Sequence, residues 1–393
     1  MFFVADVQTG FGAFVAVYLT AEKWTQVDIG LILTVGGLIS LFGQVPGGAI
    51  LDAVRSPRLF AALAVVIIGF SAFILALWPI FPVVLASRIL QAGASCILGP
   101  AIAALTLGLV ARWEIGERLG RNAAFASVGT GLAAAGMGAC GYFISNRAVF
   151  FVTAAFIFPA LIALMRIRKD EISPMRAHGG AQAHPLNILE GLAEMARNRT
   201  LLVFALCVLF FHLANAAILP LVASMLTLRS THSAPALIAV AMVVPQFLVA
   251  MLSPAVGRKA QEWGRRPLLI AGFAALVVRA LLFALVTNSY SVVAVQLFDG
   301  ISAAVLGVLV PLSIADITRG TGRFNLTQGT VGCAMGIGAS VSTTLAGYLT
   351  DRFSSHVTFI CLGAIAAIGL VVVAWLMPET SLSDEPAPDI EAV

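Results

Sequence analysis

About twelve apolar runs of roughly 20 residues follow one another along the chain, each closed by a short cluster of charged or turn-forming residues. They fall near 2–20, 29–51, 59–79, 81–110, 122–145 and 148–166, and after a polar stretch near 200–226, 235–256, 267–287, 290–315, 326–350 and 356–377. A helix rising about 1.5 Å per residue needs about 20 residues to cross a hydrocarbon core roughly 30 Å thick. Water is absent at that depth, so each backbone polar group is satisfied within the segment and helices are the default. The expected fold is an all-α membrane protein. Composition agrees, with 60% of the 393 residues hydrophobic and 11% charged, where soluble domains have about 25% charged. One large soluble core does not account for this, because single cores stop growing near about 250–300 residues. Soluble enzymes, nucleic-acid binders and disordered scaffolds are excluded.

The basic residues are distributed unevenly. Loops after the second, fourth, sixth, eighth and tenth runs carry Arg55 and Arg58; Arg112, Arg118 and Arg121; Arg166, Arg168, Lys169, Arg176, Arg197 and Arg199; Arg258, Lys259, Arg265 and Arg266; Arg319 and Arg323. The opposite loops hold Lys23, Arg147, Arg229 and Arg352. The positive-inside rule places the first set in the cytoplasm of a cell with an inner (plasma) membrane, together with both termini. The net charge of +4 therefore reports topology rather than an anionic partner. An acidic tail, Glu379, Asp384, Glu385, Asp389 and Glu391, contributes little to that rule. The first run starts at Met1 with no flanking residues, and the natural helix is expected to begin further upstream; no cleavable signal peptide pattern is present. Cys96, Cys140, Cys207, Cys333 and Cys361 all lie in apolar runs, without metal-ligand spacing, and read as packing residues.

Four segments result: 1–166, a six-helix bundle; 167–199, a linker on the inner face; 200–377, a second six-helix bundle; and 378–393, the acidic tail. In the linker, Pro185 suits a helix start, and Leu186, Leu189, Leu192, Ala193 and Ala196 share an amphipathic face. The halves repeat at an offset of about 208 residues: Phe2-Phe3 match Phe210-Phe211, Gln91 matches Asp299, and Gly99 matches Gly307. Two repeated bundles are what alternating access about a midplane site requires.

These residues resemble the major facilitator superfamily over nearly the whole chain. Its signature between helices two and three is Gly-x-x-x-Asp-x-x-Gly-Arg/Lys-Arg/Lys. Gly48 and Asp52 fit; Arg55 replaces the glycine and Ser56-Pro57 the basic pair, with Arg58 just beyond. The second copy keeps Gly257, Gly264, Arg265 and Arg266 but has Gln261 in place of the acid. The resemblance implies two pseudo-symmetric bundles and a conformational latch at Gly48, Asp52, Arg58, Gly257, Gly264, Arg265 and Arg266. In span four, Arg88, Gln91 and Gly93 resemble the family's Arg-x-x-Gln-Gly-x-Gly, with Ala92 at the first glycine. Span five, with Gly129, Gly131, Gly136, Gly138 and Gly141, resembles the antiporter motif without its Gly-Pro pair. Close helix packing explains those glycines equally well.

Ionisable groups at bilayer depth cost about 2.5–3.5 kcal/mol or more and mark pathways or paired sites. Asp6 lies on span one with Gln8 nearby; His212 and Asn215 lie on its repeat partner, span seven. In the family these spans line the central cavity, where a carboxylate can exchange a proton near neutral pH. Asp6 is the expected coupling group, the other reading being a helix-end carboxylate wetted by the cytoplasm. His212 is either a second titrating group or a neutral interior histidine. Arg279 and Asp299 come at matched depth, roughly 12–14 Å inside, as a salt bridge requires. That pair is either structural or broken during the cycle. Arg88 either tunes a carboxylate or meets an anion. Asp6, Arg88, His212 and Asp299 are thus the coupling candidates, and Gln8, Gln91, Asn215, Gln246, Arg279 and Gln296 the candidate solute contacts.

No nucleotide-binding Gly-x-x-x-x-Gly-Lys-Ser/Thr, His-Glu-x-x-His, Gly-x-Ser-x-Gly or Cys-x-x-Cys sequence occurs, so no cofactor, metal or enzymatic chemistry is implied. The expectation is a monomeric secondary transporter exchanging a small organic solute with protons across the lipid bilayer, nearest in character to the drug or metabolite efflux branch. Uptake of an organic acid or siderophore-like solute on Arg88 and Arg279 is the second reading. A non-transporting sensor or chaperone is the third.

Overall fold

The computed structural model describes all residues except 12, 55, 181–187, 230–233, 287 and 382–393. Arg55, Pro185, Leu186 and the tail acids Asp384, Glu385, Asp389 and Glu391 lie outside the described residues. The first half is built from α1 (Phe2–Thr9), α2 (Ala13–Ala21), α3 (Gln26–Ala53), α4 (Pro57–Leu77), α5 (Phe81–Leu109), α6 (Ile115–Phe143), α7 (Asn146–Ala155) and α8 (Ile157–Arg166). Short α9 (Pro174–Ala177) and α10 (Ile188–Arg197) follow. The second half comprises α11 (Arg199–Asn215), α12 (Ile218–Arg229), α13 (Ala234–Trp263), α14 (Arg265–Leu285), α15 (Ser289–Val295), α16 (Leu297–Ile317), α17 (Phe324–Arg352) and α18 (Ser355–Leu376).

Helix starts follow local sequence. The side chains of Thr25, Ser56, Ser145, Asn198, Asn288 and Ser354 each accept a backbone N–H of the first turn they precede. Several spans are interrupted midway. Span six breaks at Phe156, three residues before Pro159, and span seven at Ala216-Ala217, before Pro220. Proline lacks the N–H that would continue the ladder. The Ala217 N–H freed at one break donates to Ser342 Oγ of α17 at 3.1 Å.

Ten stretches among the described residues are long and apolar enough to cross a membrane, where about twelve are expected from the sequence. The other two runs are helical but differ in kind. The first is divided into α1 and α2, of 8 and 9 residues. The eleventh is α17, 29 residues long, whose apolar character is diluted by Asn325, Thr327, Gln328, Thr330, Ser340, Ser342, Thr343 and Thr344.

One apolar core fills the first half, around Val7, Leu19, Ile32, Val65, Leu98 and Phe150. The core of the second half, around Phe204, Phe273, Leu309 and Phe359, also takes in Ala49, Ala103, Leu107, Ile115 and Leu119 of the first. All five lie toward the end of the bundle that carries the basic loops. The halves are therefore packed together at that end.

Candidate functional site

In the first half, the α1–α2 break releases the Phe11 carbonyl from helical bonding. Arg88 of α5 donates to it at 3.4 Å and to Gln91 Oε1 at 2.6 Å, while its guanidinium lies 5.9 Å from the centre of the Phe11 ring. Gly36 of α3 leaves room for that guanidinium, since a Cβ there would press on it. Gln91 passes the chain on to Ser95 Oγ at 3.0 Å. Arg88 is thus held inside its own half. Asp6 is 1% exposed, and its carboxylate packs beside Gly129 of α6 with no hydrogen-bond partner in the structure. The helix end wetted by solvent is not what is seen. Gln8 is exposed.

The second half carries the pseudo-symmetric counterpart, with more charge. Arg279 of α14, also 1% exposed, pairs with Asp299 Oδ1 at 2.6 Å. It donates to Gln296 Oε1 from Nε at 3.0 Å and from Nη2 at 2.7 Å, and to Asn215 Oδ1 from Nη1. Gln296 sits at the α15–α16 break and Asn215 at the end of α11 beside the α11–α12 break. At the repeat offset, Arg88 and Gln91 correspond to Gln296 and Asp299. The structure therefore brings together Asn215, Arg279, Gln296 and Asp299, and separately Arg88 and Gln91. Arg279 and Gln296 are buried from solvent. His212 is half-buried, its ring centre 5.5 Å from that of Phe211, and joins neither cluster.

At the basic end, Asp52 reaches the opposite half. Its Oδ1 accepts the Asn325 backbone N–H at 3.0 Å and Asn325 Nδ2 at 2.8 Å, and Oδ2 accepts the Leu326 N–H at 2.7 Å. These are first-turn donors of α17, which an anion suits both as acceptor and as charge. Gly48, one turn earlier, lies so close to Asn325 and Leu326 that a Cβ would overlap their backbone. Gly116 and Gly257 make the same approach between α6 and α13. Arg58 takes no part in this contact and donates instead to the Met165 carbonyl of its own half at 3.3 Å.

In the second latch copy, Gly264 has φ +86° and precedes α14. Glu379 Oε1 accepts the Arg265 N–H at 2.7 Å and Oε2 the Arg266 N–H at 3.1 Å, capping that helix. The Arg265 side chain pairs with Asp316 at 2.9 Å, and Arg112 of the first half reaches Asp316 at 3.7 Å. Arg266 bonds the Ala374 carbonyl. Asn325, Asp316, Glu379 and Arg112 are absent from the sequence-derived site. Asp316 had a signal: it is the acid at the end of span ten, beside a basic loop.

The linker crosses this end. The Ser173 N–H donates to the Gly108 carbonyl at 2.9 Å, the Gly320 N–H to the Gly179 carbonyl at 2.7 Å, and Arg323 pairs with Glu194 at 2.7 Å. In α10, Gly191 and Met195 face inward while Leu189, Ala193 and Ala196 are exposed. Buried His178 has Nδ1 2.6 Å from the Pro174 carbonyl and Nε2 3.0 Å from the Val54 carbonyl, beside Asp52. Removing both contacts with His178→Ala should cost about 1–3 kcal/mol, read as a lower melting temperature in detergent. An unchanged melting temperature would remove the linker from the account of this end.

Among the described residues, every hydrogen bond and ion pair joining the two halves lies at this end. Between the halves is a cavity of about 380 Å³, with Gln246 of α13 on its wall.

A sequence model described as the Major Facilitator Superfamily matches residues 1–214 and 204–392. Two strains of Mycobacterium tuberculosis each have a protein described as an uncharacterised MFS-type transporter. Each is 37% identical to this chain over 391 residues, covering 98% of it and 92% of the relative. The inner membrane transport protein YajR of Escherichia coli is 24% identical over 146 residues, 37% of this chain and 32% of that one. Among solved structures, the Escherichia coli fucose:proton symporter FucP superposes with TM-score 0.76 at 13% identity, over 95% of this chain and 96% of that one. The human organic anion transporter TETRAN gives 0.70 at 13% identity, over 94% and 96%. At such identities the structural likeness is one of fold.

Proposed function

The chain belongs to the major facilitator superfamily of membrane transporters, and from that premise we propose a proton-coupled exporter of a small drug-like or metabolite solute, working by alternating access. The observation that carries the reading is the one-ended closure. Asp52 and the glycine contacts join the halves at the basic end, and a cavity lies between them. In this reading residues 1–166 and 200–377 are the two rocking bodies, 167–199 the strap between them and 378–393 the tail. The basic end faces the cytoplasm of a cell with an inner membrane, both termini included, and the monomer is the working unit.

Coupling falls to Asp6. A buried carboxylate without a hydrogen-bond partner is far costlier than the neutral acid, so in this reading Asp6 holds a proton while packed against Gly129 and gives it up when the bundle opens. Asp299 already has a buried counter-ion in Arg279. The commitment of Arg88 and Arg279 to partners within their own halves speaks against uptake of an organic anion on those two groups.

Inverted membrane vesicles acidified inside test this directly. An exported solute entering in exchange for protons dissipates the gradient, and a pH dye records it. Asp6→Asn should reduce solute-evoked proton release at least about tenfold while leaving the protein folded; general acid–base groups contribute effects of this size or larger. Undiminished proton release in the variant would take Asp6 out of the coupling path.

A further inference from the structure

The cavity between the halves has walls of a consistent chemistry. Ile102, Leu119, Val249 and Pro311 supply apolar surface, and small residues such as Ala103, Ala303 and Gly307 make space. Its polar side chains are Thr106, Asn122, Ser127, Gln246 and Gln328, all of them hydroxyls or amides. Among the described lining residues no side chain is charged, and the ionisable group they bring is the α-amino group of Met1. Arg88, Arg279, Asp6 and Asp299 are not among the residues that form it, and the two arginines are turned into their own halves. Asn122 spends its amide N–H on Thr106 Oγ1 at 2.9 Å. Gln328 Oε1, in contrast, is buried without a hydrogen-bond partner in the structure. Gln246, half-buried on the α13 side of the same space, makes no described side-chain hydrogen bond.

We infer that the solute carried is uncharged in its bound form: an amphiphile whose apolar body fills the wall of Ile102, Leu119, Val249 and Pro311 and whose hydroxyl or amide groups pair with Gln328 and Gln246. This rests on the transporter reading and narrows its solute. An ion brought to this wall loses water and meets no charged side chain among the described lining residues, whereas a neutral donor satisfies an acceptor that is otherwise unpaired. A cavity of about 380 Å³ is of the size that small-molecule sites have. The amides also set discrimination, because a site that hydrogen-bonds its ligand rejects the analogue lacking the group.

The test uses the full chain in proteoliposomes and three labelled phenylalkyl probes of one scaffold, ending in a primary amide, a trimethylammonium or a carboxylate. Binding and flux are read separately. The amide probe should bind at least about tenfold more tightly than either ion, and Gln328→Leu and Gln246→Leu should each weaken its binding about tenfold with melting temperature unchanged. Gln246→Glu should shift preference toward the trimethylammonium probe, a gain that misfolding cannot mimic. Equal or tighter binding of an ionic probe, or no binding of the amide probe, overturns the inference. Flux of the ionic probes without amide preference overturns it while sparing the transporter reading. Selective amide binding with no flux of any probe upholds it and removes that reading instead.

Discussion

Asp299→Ala should lower stability by about 3–5 kcal/mol, the cost of leaving one member of a buried ion pair uncompensated. Arg279 is 1% exposed, and its guanidinium is enclosed by Asp299, Gln296 and Asn215. Two amide carbonyls remain as acceptors in the variant, but neither neutralises the charge. Arg279→Ala should cost as much, since Asp299 then loses its counter-ion. The double variant Arg279→Met with Asp299→Leu should recover most of either loss. No lone charge is left, and well-packed apolar pairs often equal the ion pair they replace. The remaining deficit would come from Gln296 and Asn215, which lose their donor. A double-mutant cycle of melting temperatures in detergent measures this coupling. Removing the exposed Arg168–Asp170 pair is the control, expected to change stability by under about 0.5 kcal/mol. Additive losses at Arg279 and Asp299 would mean that the pair does not act as a unit.

That pair shows what a sequence of this kind makes legible. Depth in a membrane helix is arithmetic at about 1.5 Å per residue, so two charges on consecutive antiparallel spans can be matched by counting. The apolar runs were legible for the same reason, and so was the repeat that sets Gln91 against Asp299. Facing was not. Whether Arg88 points into a central cavity or back to the Phe11 carbonyl depends on a break in span one that a run of apolar residues does not announce. Likewise Asp6 could be read as wetted or buried until α6 was placed beside it, with Gly129 against its carboxylate. The family resemblance named Asp52 but not its partner, because Asn325 lies 273 residues away and meets it only when the two halves dock. Glu379 was counted with an acidic tail, and only the folded chain shows it capping α14. Contacts within a span or between neighbouring spans are written in spacing. Contacts between halves are written in a conformation, one of at least two that a transporter adopts.

The conformational dependence gives the second large effect. Asp52→Ala removes the carboxylate that accepts the Asn325 and Leu326 N–H groups, leaving first-turn donors of α17 unpaired in a buried contact. An orphaned buried donor costs about 1–3 kcal/mol. The cost falls on the state closed at the basic end, since separation of the halves lets water reach the same groups. The equilibrium should therefore move toward opening by roughly 5- to 150-fold. Asp52→Asn keeps one acceptor oxygen and should fall between. Gly48→Leu should have an effect at least as large by a different route, because its side chain would occupy the position of the Asn325 backbone and bar closure outright. Arg58→Ala should do nothing, its bond lying within one half. Spin labels at exposed Glu114 and Arg258, on opposite halves of the basic end in a cysteine-free background, report the separation as a distance distribution. A shift to longer distances in Asp52→Ala and Gly48→Leu, absent in Arg58→Ala, assigns the gate to helix capping and close backbone approach. An unchanged distribution in Asp52→Ala would mean that apolar packing of Ala49, Leu107, Ile115 and Leu119 against the second half holds the gate, with the carboxylate a passenger.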